Sequence, residues 1–600
     1  MEEGREEEAL QFIEKLEKEE ILKDEEKLEC LELKIVIFNQ MFLIEEWYNF
    51  SELLYKEAER LEKQDYKAVA IVSRMWAMYL GGKLGVQEAI EESRKICTQL
   101  EDLIKIASNV EIEKIEILLN HQKAYLYSSV GELDSALELF KKKIEIASTN
   151  ADPMDIINVP LAYLRIGDIY QTMGELELAL DNFKQGLSLF KGNCFNFKVN
   201  RGMSFGYLGN VYYQKNELDK AREYFKKAFE IYNEINYFVF IGYIFDGLIK
   251  VLLVLGDFEL AEQKLNSFNK INEQYEYHSN KVWYQLSKSR LLKSRTRFHD
   301  WVKAEEMLKE VVEKSRSYVL GPMSPTNTAI IELCDLLLKE LELTSNSDIL
   351  NEIRTYVELL QEYSNLQNSY SFLSESMLLQ AKLELINLQI DEAKKKLKQA
   401  QTIAEDHGLI LLAQKLSNEH DILLEQSDLW EEFKRNNVPL SDRLKLASID
   451  GVLDRLKGQR QIDPPELVDE HSLLILIMSE GGAPLFSYPF TDEWKFDEDL
   501  FGGFLSAFNS ISDEVFSEGL DRVKIGNYTV LMEPIERFSV CYLFKGQAYP
   551  AKQKLTKFIE RIQNDTTTWQ TFEKFSKTSQ VAELQDIPMV ENLLIDIFKN

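Results

Sequence analysis

The chain has 600 residues, 45% apolar and 28% charged, with 70 Lys and Arg against 101 Asp and Glu for a formal charge of −31. That length exceeds what one compact core holds, so several domains or an extended array are expected. The acidic balance excludes a binder that tracks nucleic-acid phosphates, which needs clustered Lys and Arg; here the basic residues alternate with Glu along helical faces (KAREYFKKAFE, DEAKKKLKQA).

Residues 1–28, beginning MEEGREEEALQF, read as an acidic helical segment without the cationic start and apolar core of a signal peptide. No later stretch reaches the roughly 18 uninterrupted apolar residues that a membrane span needs. From residue 29 to 435 one local pattern returns, a small residue with Phe or Leu four positions on. Ala136, Ala179, Ala221, Ala261 and Ala304 stand 43, 42, 40 and 43 residues apart, and Phe140, Phe183, Phe225 and Leu265 follow the first four. Gly167 and Gly209 lie twelve residues before Ala179 and Ala221, each followed three later by Tyr170 and Tyr212. A fixed period of this size predicts a solenoid of helix pairs, none of which buries its apolar face alone.

Within residues 161–190, Tyr163, Ile166, Gly167 and Tyr170 share one face of a first helix. Gly174 breaks the pattern, and Ala179, Phe183 and Leu187 face inward from a second helix. Small residues are expected where the two helices cross. Residues 203–232 repeat this, with Asn216 in the turn position because Asn accepts left-handed geometry. Residues 120–147 and 245–271 carry the same marks. Weaker units are expected around Ser51 and Ala58, around Ala89 between Trp76 and Cys97, around Ala304 in 283–312, and around Ala393 in 377–404. Ala304 and Ala393 are 89 residues apart, two periods, so a degenerate unit belongs between them with its second helix near Leu350–Leu360. The total is about eight pairs, closed by an end helix over 409–433.

These residues resemble the tetratricopeptide repeat, with a period longer than usual. The resemblance implies an α-solenoid that holds a protein or peptide on the inward face of its first helices. By offset that face carries His121, Tyr125, Arg165, Asp168, Tyr207, Asn210, Tyr213, Asp246 and Lys250. Family members that grip acidic peptide tails use a clamp of Lys and Asn. Asn210 fills one such offset, but His121, Leu164, Gly206 and Asp246 stand where the lysines would be, so that clamp is absent.

Residues 436–470 read as a short helix and a polar linker containing Pro464 and Pro465. Strands are expected next, at Leu473–Met478 and Leu485–Pro489, then a helix over Asp499–Phe516. Strands at Arg522–Ile525, Tyr528–Glu533 and Phe538–Phe544 follow, and helices over Ala551–Asn564, Thr568–Phe575 and Pro588–Phe598. This order over 471–600 resembles the longin and roadblock type of small α/β domain. It implies a five-stranded antiparallel sheet and a platform for small GTPases or for homodimer formation, the helix Asp499–Phe516 being one candidate surface.

The six histidines show no metal-ligand spacing, and there is no phosphate loop, dinucleotide turn or nucleophile elbow. No catalytic residue, metal or cofactor is assigned. Five scattered cysteines without a CxxC read as reduced thiols of a cytoplasmic protein. The expected fold is mainly α, a solenoid followed by a small α/β domain. The expected function is a non-enzymatic interaction scaffold. The alternative is a peptide- or ligand-responsive regulator linked to signalling or transcription.

Overall fold

The computed structural model describes residues 6–18, 22–80, 83–84, 86–149, 155–191, 195–275, 278–295, 297–315, 325–344, 346–447, 470–479, 483–491, 522–526, 528–535, 538–578 and 581–598. Helices come first: α1 (Glu6–Lys18), α2 (Asp24–Met41), α3 (Ile44–Arg60), α4 (Gln64–Leu80), α5 (Val86–Ile106), α6 (Asn109–Val130) and α7 (Leu133–Thr149). Next are α8 (Asp155–Met173), α9 (Leu176–Leu189), α10 (Phe195–Gln214), α11 (Leu218–Glu234), α12 (Ile241–Val254), α13 (Phe258–Gln274), α14 (His278–Lys293) and α15 (Phe298–Ser315). The run ends with α16 (Pro325–Thr344), α17 (Ser347–Leu366), α18 (Tyr370–Ile386), α19 (Ile390–Asp406), α20 (Ile410–Glu425), α21 (Ser427–Asn436) and α22 (Leu440–Ala447). The expected solenoid is present, and among the described residues α2 to α19 make nine consecutive helix pairs.

In the pairs from α6–α7 to α12–α13 a residue in left-handed geometry ends the first helix. Gly131, Gly174 and Gly256 have φ of 86°, 100° and 76°, and Asn216 takes the same slot at 59°. The small-then-large pattern sits in the core. Ala136, Ala179, Ala221, Ala261, Ala304 and Ala393 are all fully buried, and Phe140, Phe183 and Phe225 are buried beside them. Phe183 lies against Gly167, and Phe225 lies between Gly209 of α10 and Gly247 of α12. Each such ring therefore spans from its own unit to the next, worth about 1.5–3 kcal/mol of burial. The degenerate unit is α16–α17, where Ile353 and Val357 replace the small residue and the aromatic. In α5 the register differs from the expected one. Ala89 is only half-buried, while Ser93 and Cys97 face the core, and Gln122 donates to Ser93 Oγ at 2.8 Å.

Five strands follow: β1 (His471–Ser479), β2 (Pro484–Pro489), β3 (Arg522–Ile525), β4 (Tyr528–Ile535) and β5 (Phe538–Lys545). The helices α23 (Ala548–Asn564), α24 (Thr566–Thr578) and α25 (Pro588–Phe598) end the chain. The sheet order is β2-β1-β5-β4-β3, every pairing antiparallel, with Leu476 opposite Cys541 and Leu531 opposite Tyr542. One face, including Ile477, Val540, Tyr542 and Phe544, joins Leu555, Phe558 and Leu594 of α23 and α25 in one core. On the other face Leu474, Leu476, Met478, Met532 and Leu543 are buried as well. Burial on both faces explains why β1 reads as an unbroken apolar run rather than an alternating one. The expected helix over 499–516 and the linker around Pro464 lie outside the described residues.

Two compact units divide the chain. One comprises Met1–Asn387, Gln399–Leu412 and Leu440–Gln459; the other comprises Leu388–Lys398, Ala413–Pro439 and Arg460–Asn600. In the second unit α20 meets the β3 edge of the sheet. Buried Arg522 donates to Asp421 Oδ1 at 2.7 Å and to Ser417 Oγ at 3.3 Å, while the Ala548 N–H donates to Asp421 Oδ2 at 2.8 Å. On the β2 edge the Ala582 N–H donates to Leu485 O at 2.7 Å.

Candidate functional site

The nine sequence-predicted residues lie on α6, α8, α10 and α12, all within the first unit. Because each helix pair repeats after about forty residues, equivalent positions on successive first helices stand side by side, and their side chains meet across units.

Three groups result. In the first, the His121 and Tyr125 rings meet edge to face at 4.8 Å, Trp76 packs on Tyr125 at 4.8 Å, and the Arg165 guanidinium lies 5.4 Å from the Tyr125 centroid. Burial and the charges of Lys143 and Arg165 hold the His121 imidazole well below its usual pKa, so it is neutral here. In the second, Asp168 Oδ2 accepts from the Tyr207 hydroxyl at 3.3 Å and sits 3.7 Å from Arg165 Nη1. Burial raises the Asp168 carboxyl to about 6, although the Arg165 charge opposes the shift. Tyr207 also stacks on Phe183 at 4.9 Å.

The third group spans α12, α14 and α16. Asp246 pairs with Arg290 and accepts from Ser287 Oγ at 2.9 Å. Arg290 Nε then bonds Glu332 Oε1 at 3.1 Å, and Lys293 bridges Glu332 and Asp335. Two cations facing Glu332 outweigh its burial and hold its carboxyl down to about 2. Beside this network the Lys250 ammonium lies 4.6 Å above the Tyr213 ring. Burial, with Arg290 nearby, lowers it to about 8 despite Asp246 and Glu332. Asn210 hydrogen-bonds the Tyr243 side chain.

Asp168, Tyr207 and Asp246 are therefore buried and engaged by the protein itself, whereas His121, Tyr125, Arg165, Asn210, Tyr213 and Lys250 are half-buried along the inner row. Sequence reasoning missed Trp76, Tyr243, Arg290 and Glu332. Arg290 was within reach, since it falls one period of 40 residues after Lys250. Among the described residues no cluster of three or more His, Cys, Asp or Glu side chains could hold a metal ion, and no helix is long and apolar enough to cross a membrane.

Residues 73–412 match the sequence family described as the MalT-like TPR region. The chain belongs to that family. No curated protein matches it by sequence. Among solved structures it is similar to a Rap protein complexed with competence and sporulation factor, at 13% identity and TM-score 0.42 over 64% of this chain and 99% of that one. It is also similar to the apo form of the quorum sensor NprR from B. thuringiensis, at 16% identity and TM-score 0.38 over 59% and 92%. A tetratricopeptide repeat protein from Parabacteroides merdae matches at 17% identity and TM-score 0.27 over 50% and 98%. The MalT-like TPR match covers α5 to α19, and so the whole inner row.

Proposed function

We propose that this MalT-like TPR protein is a non-enzymatic interaction scaffold that holds an extended peptide segment along the inner row of α6 to α12. The carrying observation is that Arg165, Asn210, Tyr213 and Lys250, half-buried polar and aromatic groups, stand on the first helices of successive repeats, with the Lys250 ammonium over the Tyr213 ring. Tyr gives rigid contact area, and half-buried cations and amides bond peptide carbonyls and carboxylates more strongly than fully wet ones do. A library of random twelve-residue peptides displayed on phage, panned against the full chain, tests this. Enrichment of related sequences, with at least tenfold weaker binding by folded Asn210→Ala and Lys250→Ala variants, supports the reading. No enrichment, or binding indifferent to both substitutions, refutes it.

In this reading the five-stranded module is a second platform of the longin or roadblock kind, for a small GTPase or for a second copy of the chain. Its support is the strand-strand-three-strand-helix order. Sedimentation of the full chain, alone and with nucleotide-loaded small GTPases, checks it; a monomer that binds none removes that part. The alternative, a peptide-responsive regulator, uses the same array and differs in whether the module changes on peptide binding. A reducing, cytoplasmic location is consistent with Cys30, Cys97, Cys334 and Cys541, which are buried and unpaired.

A further inference from the structure

Near the N-terminal end of the array, residues of α2, α3, α4, α6, α7, α8 and α10 surround a cavity of about 430 Å³, within the size range of small-molecule sites. Aromatic side chains line much of it, among them Phe42, Trp47, Trp76 and Tyr125, and Val72 and Leu139 add aliphatic surface. The charged side chains on the wall are matched. Lys114 pairs with Glu32 at 2.9 Å, and Arg165 lies 3.7 Å from Asp168 Oδ2. Lys143 and Glu113 have partners of their own, and Lys142 is exposed to solvent. A charged occupant would give up its water here without gaining a counter-ion, at a heavy cost in a largely apolar space. Matched charge therefore selects an uncharged occupant.

The neutral polar groups on the same wall are not matched. Among the described residues, Ser73 Oγ has no hydrogen-bond partner, and neither ring nitrogen of His121 has one. Asn200, 4% exposed, donates to Asn196 O at 2.9 Å and leaves its Oδ1 without a donor. Buried polar groups nearly always have a partner, and these three lack one within the chain while lining one space. An occupant that completes them carries a donor for Asn200 Oδ1 and an acceptor for the Ser73 hydroxyl, while the neutral His121 ring offers one of each. We propose that the cavity binds an uncharged aromatic compound bearing an amide or a similar donor-acceptor group. The ring packs on the aromatic wall, and the amide takes the open hydrogen-bonding groups. The site shares His121, Tyr125 and Arg165 with the inner row, but it does not depend on the peptide reading.

Calorimetric titration of the full chain tests the assignment with three aromatic amides, indole-3-acetamide, 2-naphthamide and nicotinamide, each beside its carboxylate and its parent ring. Tryptamine supplies a cationic arm. At least one amide should bind at least tenfold more tightly than its carboxylate, its parent ring and tryptamine. Ser73→Ala combined with Asn200→Ala should bring that amide to within threefold of its parent ring and leave the ring's own binding unchanged. Leu139→Trp, which fills the cavity, should abolish binding of both; if it does not fold, Val72→Phe serves in its place. A carboxylate or tryptamine binding as tightly as the best amide, equal binding of amide and parent ring, no binding of any amide, or full binding by a folded cavity-filling variant overturns the proposal. The peptide panning reads Asn210 and Lys250, on α10 and α12, and this titration reads Ser73 and Leu139, on α4 and α7. A failure of either reading therefore shows apart from the other.

Discussion

At Gly247 an added Cβ would stand 2.2 Å from Phe225 Cζ and 2.3 Å from its Cε1. The ring is fully buried and has no open space to swing into, so Gly247→Ala should cost about 1–3 kcal/mol by overpacking. Gly256 has φ of 76° and nothing within 4 Å of its Cβ position, so alanine there pays only for backbone geometry, about 1–2 kcal/mol. Urea unfolding distinguishes the mechanisms. Phe225→Leu should rescue part of the Gly247→Ala loss and none of the Gly256→Ala loss. Lys250 offers a pH test of the inner row. Its folded-state pKa of about 8 lies below the unfolded value, so between pH 8 and about 10.4 the unfolded chain holds a proton that the folded chain has released. Stability tied to this group rises with pH across that window, and the full cost of the buried charge is present below it. Lys250→Met should therefore stabilise the protein by about 1–3 kcal/mol at pH 7, an advantage that fades toward pH 10.5. An equal difference at both pH values would mean that the ammonium is not desolvated.

Among the elements, legibility follows how local the signal is. The units from Ala136 to Ala261 could be read because a small residue and its Phe or Leu sit one helical turn apart. In α5 the same rule selected Ala89, four positions from the buried Ser93, since polar Ser can fill a small-residue slot when a neighbour such as Gln122 bonds it. The strands were legible from turn glycines and apolar runs; what extended them, as with β4 to Ile535, was pairing with Phe538 in β5. Not legible was Arg522, which reads as an ordinary strand end yet forms a buried ion pair with Asp421, 101 positions earlier. Removing one partner of such a pair leaves the other charged and dry, at about 3–5 kcal/mol. Arg522→Ala should lower the unfolding midpoint of the sheet module by that amount. Pairing Arg522→Met with Asp421→Leu should recover most of it, since an apolar pair of similar volume needs no solvation. For the same reason residues 471–600 alone should be less stable than residues 413–600; equal denaturant midpoints would show that α20 contributes nothing to the sheet.

On the largest scale, the first unit departs from a simple one-dimensional array, in which each repeat touches only its neighbours. Phe42, after α2, stacks on Phe195 of α10 at 5.7 Å and meets Tyr237 edge to face at 5.2 Å, and Asn196 donates to Asn39 at 3.1 Å. Further along, His407 Nδ1 lies 2.8 Å from Glu175 Oε1 and its ring stacks on Tyr370 at 3.6 Å. The array thus returns to itself across four to five repeats. No periodicity announces this, because each return contact, the Tyr370 stack aside, joins residues 153 to 232 positions apart that share no local motif. Such contacts couple units that a chain of neighbours would let fray separately. Phe42→Ala removes both ring contacts while keeping the left-handed backbone position, and hydrogen exchange of the full chain reads the result. If the return contact couples the units, protection should fall in α2 and α3 and also in α10 and the α11–α12 turn, with α4 to α8 between them less affected. Loss confined to α2, α3 and α4 would return the array to nearest-neighbour behaviour and leave Phe42 only a local role at the end of α2.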